Sequence, residues 1–412
     1  MKSFLKKIAA LAFVTILFAS PLNAQVVNSV YSMFGVGQLM DNNIGINKSL
    51  GGTGIAFQSG KSINYMNPAS YIGMYSHSYV MELGLYGISN KSMNTHTSQT
   101  DNSVSISYFS ASLYFTKWWA SSFGIIPFSS VDYEINSEDE IEGDLTTYQK
   151  TYTGSGGLSR IYFGNSFSIF DGLSVGFNTS YIVGPITQTE TASGNDSFSG
   201  YELTNERLVY SVYFDYGLQY TLENNGWSYS LGLIYGSSKK LNSEDDLKFT
   251  YNGTTTSITQ EKQLDIEIPQ KTGVGIAIKN GDKFRVGFDY EWAKWSNINF
   301  SNSNLRTKNS NRFSIGIEYY PAEKTNDSWI NTLYYRIGAN YKNTYLKIDN
   351  TPINSKAINI GLGIPYNYTS LINVSFEYGE EGTLSKGLIK NKYWALYTSF
   401  SLPDFWISSS SY

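Results

Sequence analysis

Apolar side chains fall on every second position through most of this chain, and the strand charges keep to the other face. Over 173–183 one face carries Leu173, Val175, Phe177, Thr179, Tyr181 and Val183, and the other carries mostly Ser174, Gly176, Asn178 and Ser180. A period of two is a β-strand with one greasy face. The same stripe returns at Phe109, Ala111, Leu113 and Phe115, at Phe284, Val286, Phe288, Tyr290 and Trp292, and at Leu333, Tyr335, Ile337, Ala339 and Tyr341. Four arginines (Arg160, Arg285, Arg312, Arg336) and six acids (Glu82, Asp215, Asp289, Glu291, Glu318, Glu377) lie within such stretches, all opposite the apolar stripe. A cation facing lipid at mid-membrane costs roughly 2–4 kcal/mol, so this sorting is what an outer wall in lipid demands. The mixed signs predict lumen salt bridges in place of an ion-selective ring; charges such as Arg285 and Asp289 could hold a segment inside the barrel, and the plainer, favoured reading has them solvated or paired across the wall.

The pattern predicts fourteen strands, at 76–89, 104–117, 119–135, 148–169, 173–189, 204–222, 227–240, 265–279, 283–298, 310–321, 329–346, 355–365, 370–379 and 390–402. Tight links such as Asp171-Gly172 and Asn280-Gly281 carry hairpin chemistry. They alternate with longer polar links at 90–103, 136–147, 190–203, 241–264, 299–309 and 380–389, the fourth with a hairpin of its own above the membrane. The expected fold is therefore all-β, a fourteen-stranded antiparallel transmembrane β-barrel with turns at one end and loops at the other. A secreted sandwich or propeller would also alternate, but needs no such alternation of link length.

Composition agrees: aromatics reach 16 % with 34 tyrosines, while charged residues are only 16 %, against the quarter or so usual for soluble domains. Residues 1–24 read as a signal peptide, with Lys2, Lys6 and Lys7 before a short apolar core and Ala24 at the cleavage position. Without them the chain has 27 basic and 34 acidic residues, net −7. Basic blocks are absent, so no nucleic-acid partner is expected. With no cysteine, thiolate metal sites, disulfides and cysteine nucleophiles are excluded. His77 and His96 are the only histidines, no Ser–His pairing is legible, and neither an enzyme, a cofactor nor a metal is expected. The acidic stretch 138–144 reads as a solvated loop.

Residues 25–75 are glycine- and asparagine-rich and do not read as strand. They are predicted to form a hatch inside the barrel, because fourteen strands enclose more space than wall side chains fill. The barrel proper is expected over 76–402, with a periplasmic tail at 403–412. In the third strand Gly124 and Pro127 are candidates for a kinked opening, since proline lacks the N–H of a ladder bond. A local bulge with no passage fits them equally.

Gly35-x-Gly37, then Gly51-Gly52-Thr53-Gly54, then Asn67-Pro68-Ala69 ahead of the strands resembles the FadL/TodX family of outer-membrane transporters. Later segments, among them Gly154–Arg160, Asp289-Tyr290 with Trp295, Tyr319–Pro321 and Gly361–Pro365, resemble the branch common in Bacteroidetes. The resemblance implies a location in the bacterial outer membrane and passive transport of a hydrophobic small molecule, such as a long-chain fatty acid. The ligand would pass the hatch, built on those glycines and Asn67-Pro68-Ala69, to a wall opening at the third strand. Outer-membrane lipid, lipopolysaccharide and the barrel-assembly machinery are the implied partners, and a monomer is expected. For Asn67-Pro68-Ala69 the plainer reading, a structural cap, is the favoured one. The branch also contains accessory barrels of type 9 secretion, so a non-transport accessory role is the alternative, expected to show a filled lumen and an exposed apolar patch on the loops. Lys48 and Lys61 are the only cations in 25–75, and they make no evident carboxylate-binding pair.

Overall fold

The stripes become one closed wall. A computed structural model describes residues 29–140, 147–193, 199–295, 305–321, 329–366 and 369–405. Signal peptide, C-terminal tail beyond Phe405 and most of the acidic stretch lie outside the described residues. After a two-residue strand, β1 (Gln38–Leu39), the wall runs β2 (Ser78–Met93), β3 (Ser98–Thr116), β4 (Trp119–Pro127), β5 (Ser129–Glu140), β6 (Thr147–Gly156), β7 (Ser159–Phe170), β8 (Leu173–Ala192), β9 (Tyr201–Asn224) and β10 (Trp227–Gly236). It continues through β11 (Lys239–Tyr251), β12 (Thr254–Ile268), β13 (Lys271–Asn280), β14 (Phe284–Ala293), β15 (Leu305–Thr307), β16 (Ser310–Tyr319), β17 (Tyr334–Ile348), β18 (Thr351–Pro365), β19 (Leu371–Gly382) and β20 (Lys390–Phe405). These segments make fourteen antiparallel wall strands, because β4 with β5, β6 with β7, β10 with β11, β12 with β13 and β15 with β16 are each one interrupted strand. β2 closes the barrel on β20 from Ser78 opposite Phe405 to Met93 opposite Lys390.

Orientation follows from the links. Short turns at 117–118, 171–172, 225–226 and 281–283 share an end with Ser78 and Phe405, which is the periplasmic end of such a barrel. Lipid explains the alternation: Phe163 and Ile358 are 53 % and 59 % exposed, while their neighbours Tyr162 and Asn359 are 2 % and 0 %. All ten predicted strand charges face inward.

Strand lengths depart from the sequence reading. A membrane crossing needs about 9–11 residues, yet β9 has 24. The segment expected as a loop at 90–103 is mostly strand, with a turn only at 94–97, whereas 241–264 forms the hairpin expected there, turning at 252–253. β11 pairs β9 up to Tyr251 opposite Tyr201 and pairs β12 as a hairpin. Beyond the membrane no lipid enforces alternation, so polar strands there look like loops. On the lumen-side face of this outer sheet Leu247, Phe249, Tyr251 and Ile258 stand exposed.

Candidate functional site

Residues 29–74 pack against the inner face of the wall, and many of their hydrogen-bonding groups are met by inward wall side chains. Asp289 Oδ2 accepts from the N–H groups of Gly54 (2.6 Å) and Ile55 (2.9 Å). Glu82 accepts from Ile63 N–H, Tyr108 and Ser401. Arg312 donates through Nη2 to the Gly51 carbonyl at 2.9 Å, and it pairs with Glu291 and Asp41. Arg160 donates to Tyr65 Oη at 2.6 Å, 3.4 Å from Asp215, with its guanidinium against the rings of Tyr65, Phe128 and Tyr213. The lumen charges therefore do more than pair across the wall: Asp289, Glu82, Arg312 and Arg160 hold the internal segment, mainly by hydrogen bonds to its backbone and to Tyr65. Across-wall pairing holds for Arg285, Glu318 and Arg336, where Glu318 is 3.8 Å from the first and 2.7 Å from the second. Glu377 accepts from Asn359 at 2.6 Å.

The wall makes room with glycine. Gly176 lies opposite Gly217, Gly232 opposite Gly275, and Gly316 opposite both Gly287 and Gly338. A Cβ on Gly176 would meet the Pro68 carbonyl carbon at 2.5 Å, one on Gly316 would meet Leu50 at 2.7 Å, and one on Gly287 the Phe57 ring at 2.5 Å. Gly338 meets the Leu50–Gly51 peptide and Gly232 the Ile55 carbonyl. This belt lets residues 49–69 pack backbone to wall, where any side chain would intervene. A glycine within a strand is locally a weak residue, so the belt was invisible in the sequence.

Gly51 and Gly52 have φ of +64° and +79°, and the Arg312 guanidinium occupies the space a Gly52 side chain would need. Gly35 (φ +68°) and Gly37 (φ +94°) turn the chain into β1. Asn67 caps the 3-10 turn Pro68–Gly73 by accepting from Ala69 N–H. Its Nδ2 donates to the Ile55 and Leu218 carbonyls at 2.8 and 3.2 Å, and Ser166 donates to the Ala69 carbonyl. The cap and the wall contact are thus the same residue. The sequence reading missed Gln219, which donates to the Ile55 carbonyl at 2.8 Å, and Asn64, which bonds Asn47, Gly54 and Phe57.

At the third wall strand the ladder breaks. β3 pairs β4 only from Phe109 opposite Ile125 to Thr116 opposite Trp119. Beyond Pro127, β5 turns to pair β6 from Val131 to Glu140, and among the described residues no ladder joins it to β3. Gly124 is packed so closely on β3 that a Cβ would meet Ser110 at 2.7–2.9 Å. The edge of β5 freed by the turn is taken by the internal segment: Gln38 and Leu39 pair Ser130 and Ser129, Met40 N–H donates to the Phe128 carbonyl, and Ser29 N–H to that of Asp132. Between the outer half of β3 and β5 lies a polar cavity of about 320 Å3, lined by Asp101, Ser103, Asp132, Glu134 and Thr189. On the other side of β1 a smaller cavity of about 130 Å3 is lined by Leu39, Met40, Phe128, Tyr213, Ile268 and Trp295, over Asp41, Arg160 and Arg312.

The model of one protein family, BamG, matches residues 4–412. The chain belongs to the BamG family. No curated protein matches this BamG-family chain. Among solved structures it is similar to the Pseudomonas putida toluene transporter TodX, at 15 % identity and TM-score 0.61 over 89 % of this chain and 99 % of that one. The Ralstonia pickettii toluene transporter TbuX has 15 % identity and TM-score 0.59 over 88 % and 98 %. A Pseudomonas aeruginosa FadL homologue has 11 % identity and TM-score 0.60 over 90 % and 99 %. The resemblance read from the glycine blocks thus holds at the level of the fold, and the BamG-family chain has the barrel fold of these FadL/TodX-type structures.

Proposed function

We propose that this barrel is a passive outer-membrane channel for small hydrophobic compounds and that residues 29–77 are its hatch. One observation carries the reading. Leu39 and Met40 line the aromatic cavity behind the kink, and the same stretch is the only strand seated on the broken edge of β5 among the described residues. A ligand arriving from outside rests on Phe128, Tyr213 and Trp295. When β1 lifts from β5, the cavity joins the space between β3 and β5, and the compound leaves through the wall. An apolar cavity of roughly 150 Å3 holds one benzene ring, so a cavity of about 130 Å3 suits a monoaromatic better than a long acyl chain. TodX and TbuX are named for toluene, and toluene is the natural probe. Toluene uptake into proteoliposomes should exceed that of protein-free vesicles, and Leu39→Trp, which fills the cavity, should cut it at least tenfold. Equal uptake by both proteins would refute the reading.

An accessory barrel is the second reading. The glycine belt and the exposed Leu247, Phe249, Tyr251 and Ile258 favour it, since both suit a filled barrel that presents an outer surface to another protein. No toluene uptake by the unaltered protein, together with specific co-purification of an outer-membrane partner lost on Phe249→Ser, would favour it over transport.

A further inference from the structure

The periplasmic end of the lumen holds a second cavity, of about 290 Å3, between the internal segment and β10, β13, β14, β16 and β17. Its cations are Lys61, Lys279, Arg285 and Arg336, and its carboxylates are Glu223, Asp282 and Glu318. Two of the cations are committed. Arg336 donates to Glu318 at 2.7 Å and to Asn373 at 2.8 Å, and Lys279 pairs with Asp282 at 3.0 Å. Glu223 is exposed at the rim.

Arg285 is left short. It is 9 % exposed, reaches Glu318 only at 3.8 Å, and its buried Nη1 has no hydrogen-bond partner. It stands across the ladder from Lys279 on one side and from Glu318 on the other, and Lys279 is answered by Asp282, so Nη1 is what remains without an acceptor. The Phe57 ring under its guanidinium, at 5.1 Å, fixes the fork in place. Lys61 uses one of its three donors on Tyr334 Oη, at 3.0 Å, and lines the same cavity. A buried guanidinium donor without an acceptor is costly, and a carboxylate or phosphate is the group its geometry matches.

We propose that this cavity binds a small oxyanion from the periplasmic side, its oxygens shared between Arg285 Nη1 and the Lys61 ammonium. Ala56, Ala277 and Leu371 give a short apolar floor beside them, enough for the chain of a short carboxylic acid, while the Ser and Thr rim also admits inorganic phosphate. The volume is at the lower end of small-molecule pockets, which start near ~300 Å3. The site is separate from the outer aromatic cavity and stands whether or not that cavity transports.

The full chain in detergent micelles can be titrated calorimetrically with hexanoate, with inorganic phosphate and, at matched ionic strength, with chloride. One saturable site is expected for hexanoate, phosphate or both, and which of them binds identifies the head group. Lys61→Gln and Arg285→Gln should each weaken it at least tenfold, and Lys240→Gln, at the outer end, should leave it unchanged. Lys61 sits on a half-exposed turn, so its variant reports even if Arg285→Gln fails to give a heat-modifiable barrel on a gel. No saturable heat beyond chloride, or affinity that drops less than tenfold in Lys61→Gln, would overturn the proposal.

Discussion

At the scale of single residues, the lumen is a set of wall side chains aimed at one segment's backbone. Asp289 illustrates the energetics: two buried N–H groups end on one carboxylate oxygen, and removing it strands both. Leaving a buried polar group unpaired costs about 1–3 kcal/mol. Asp289→Ala should therefore speed amide exchange at Gly54 and Ile55 at least tenfold while the barrel keeps its heat-modifiable mobility, and unchanged exchange would contradict the assignment. Asp41 is poised differently. Burial opposes its charge, but Arg312, Lys342 and Lys48 outweigh that and hold its carboxyl well below the ordinary carboxylate range. A depressed folded value contributes stability that is present above the unfolded value, about 4, and is lost as pH falls through the folded one. Protease protection of residues 38–42 should accordingly stay constant from neutral pH to about 5 and decline only in stronger acid.

At the scale of elements, the internal segment divides in two. Residues 49–69 rest on the glycine belt of the wall, whereas β1 is held by a two-residue pairing and a few flanking bonds. Openings with few bonds and little buried contact are the low-energy ones, so amides of 38–40 should exchange well before those of 52–55. Overpacking a close contact costs about 1–3 kcal/mol. Gly316→Val should loosen residues 49–55 by that amount, read as lowered protease protection there, while Gly226→Ala, whose Cβ would meet nothing within 4 Å, should not. Strand identity was legible in the sequence wherever lipid enforces alternation, as at β8 and β14. It faded at the outer ends of β9, β11 and β12, where both faces are wet and period two carries no penalty for being broken. β1 was illegible for another reason: two residues have no period, and their partner lies 90 positions away in β5.

At the scale of the molecule, fourteen strands and inward charges follow from one requirement, that everything facing lipid be apolar and the backbone polar groups of the wall be paired within it. The sequence carried the wall and the sign of each face. It did not carry the pairing of Asp289 with Gly54 or of Gln219 with Ile55, because these contacts span more than 160 positions and nothing local marks them. The glycine blocks at 35–37 and 51–54 lie in the internal segment, and the wall glycines that meet residues 49–69 are scattered across the strands, with nothing local to mark them. Pro127 lies where the β3–β4 ladder ends, and β1 pairs the edge of β5 beyond it.

The central claim, that β1 is the moving stopper, can be tested by tying it down. The chain has no cysteine, and Gln38 and Ser130 are direct antiparallel partners, a separation a disulfide can bridge. The double variant Gln38→Cys with Ser130→Cys, reconstituted in vesicles, should take up toluene like the unaltered protein when reduced and lose at least nine-tenths of that uptake when oxidised. Uptake that is the same in both states would mean that β1 does not gate the wall.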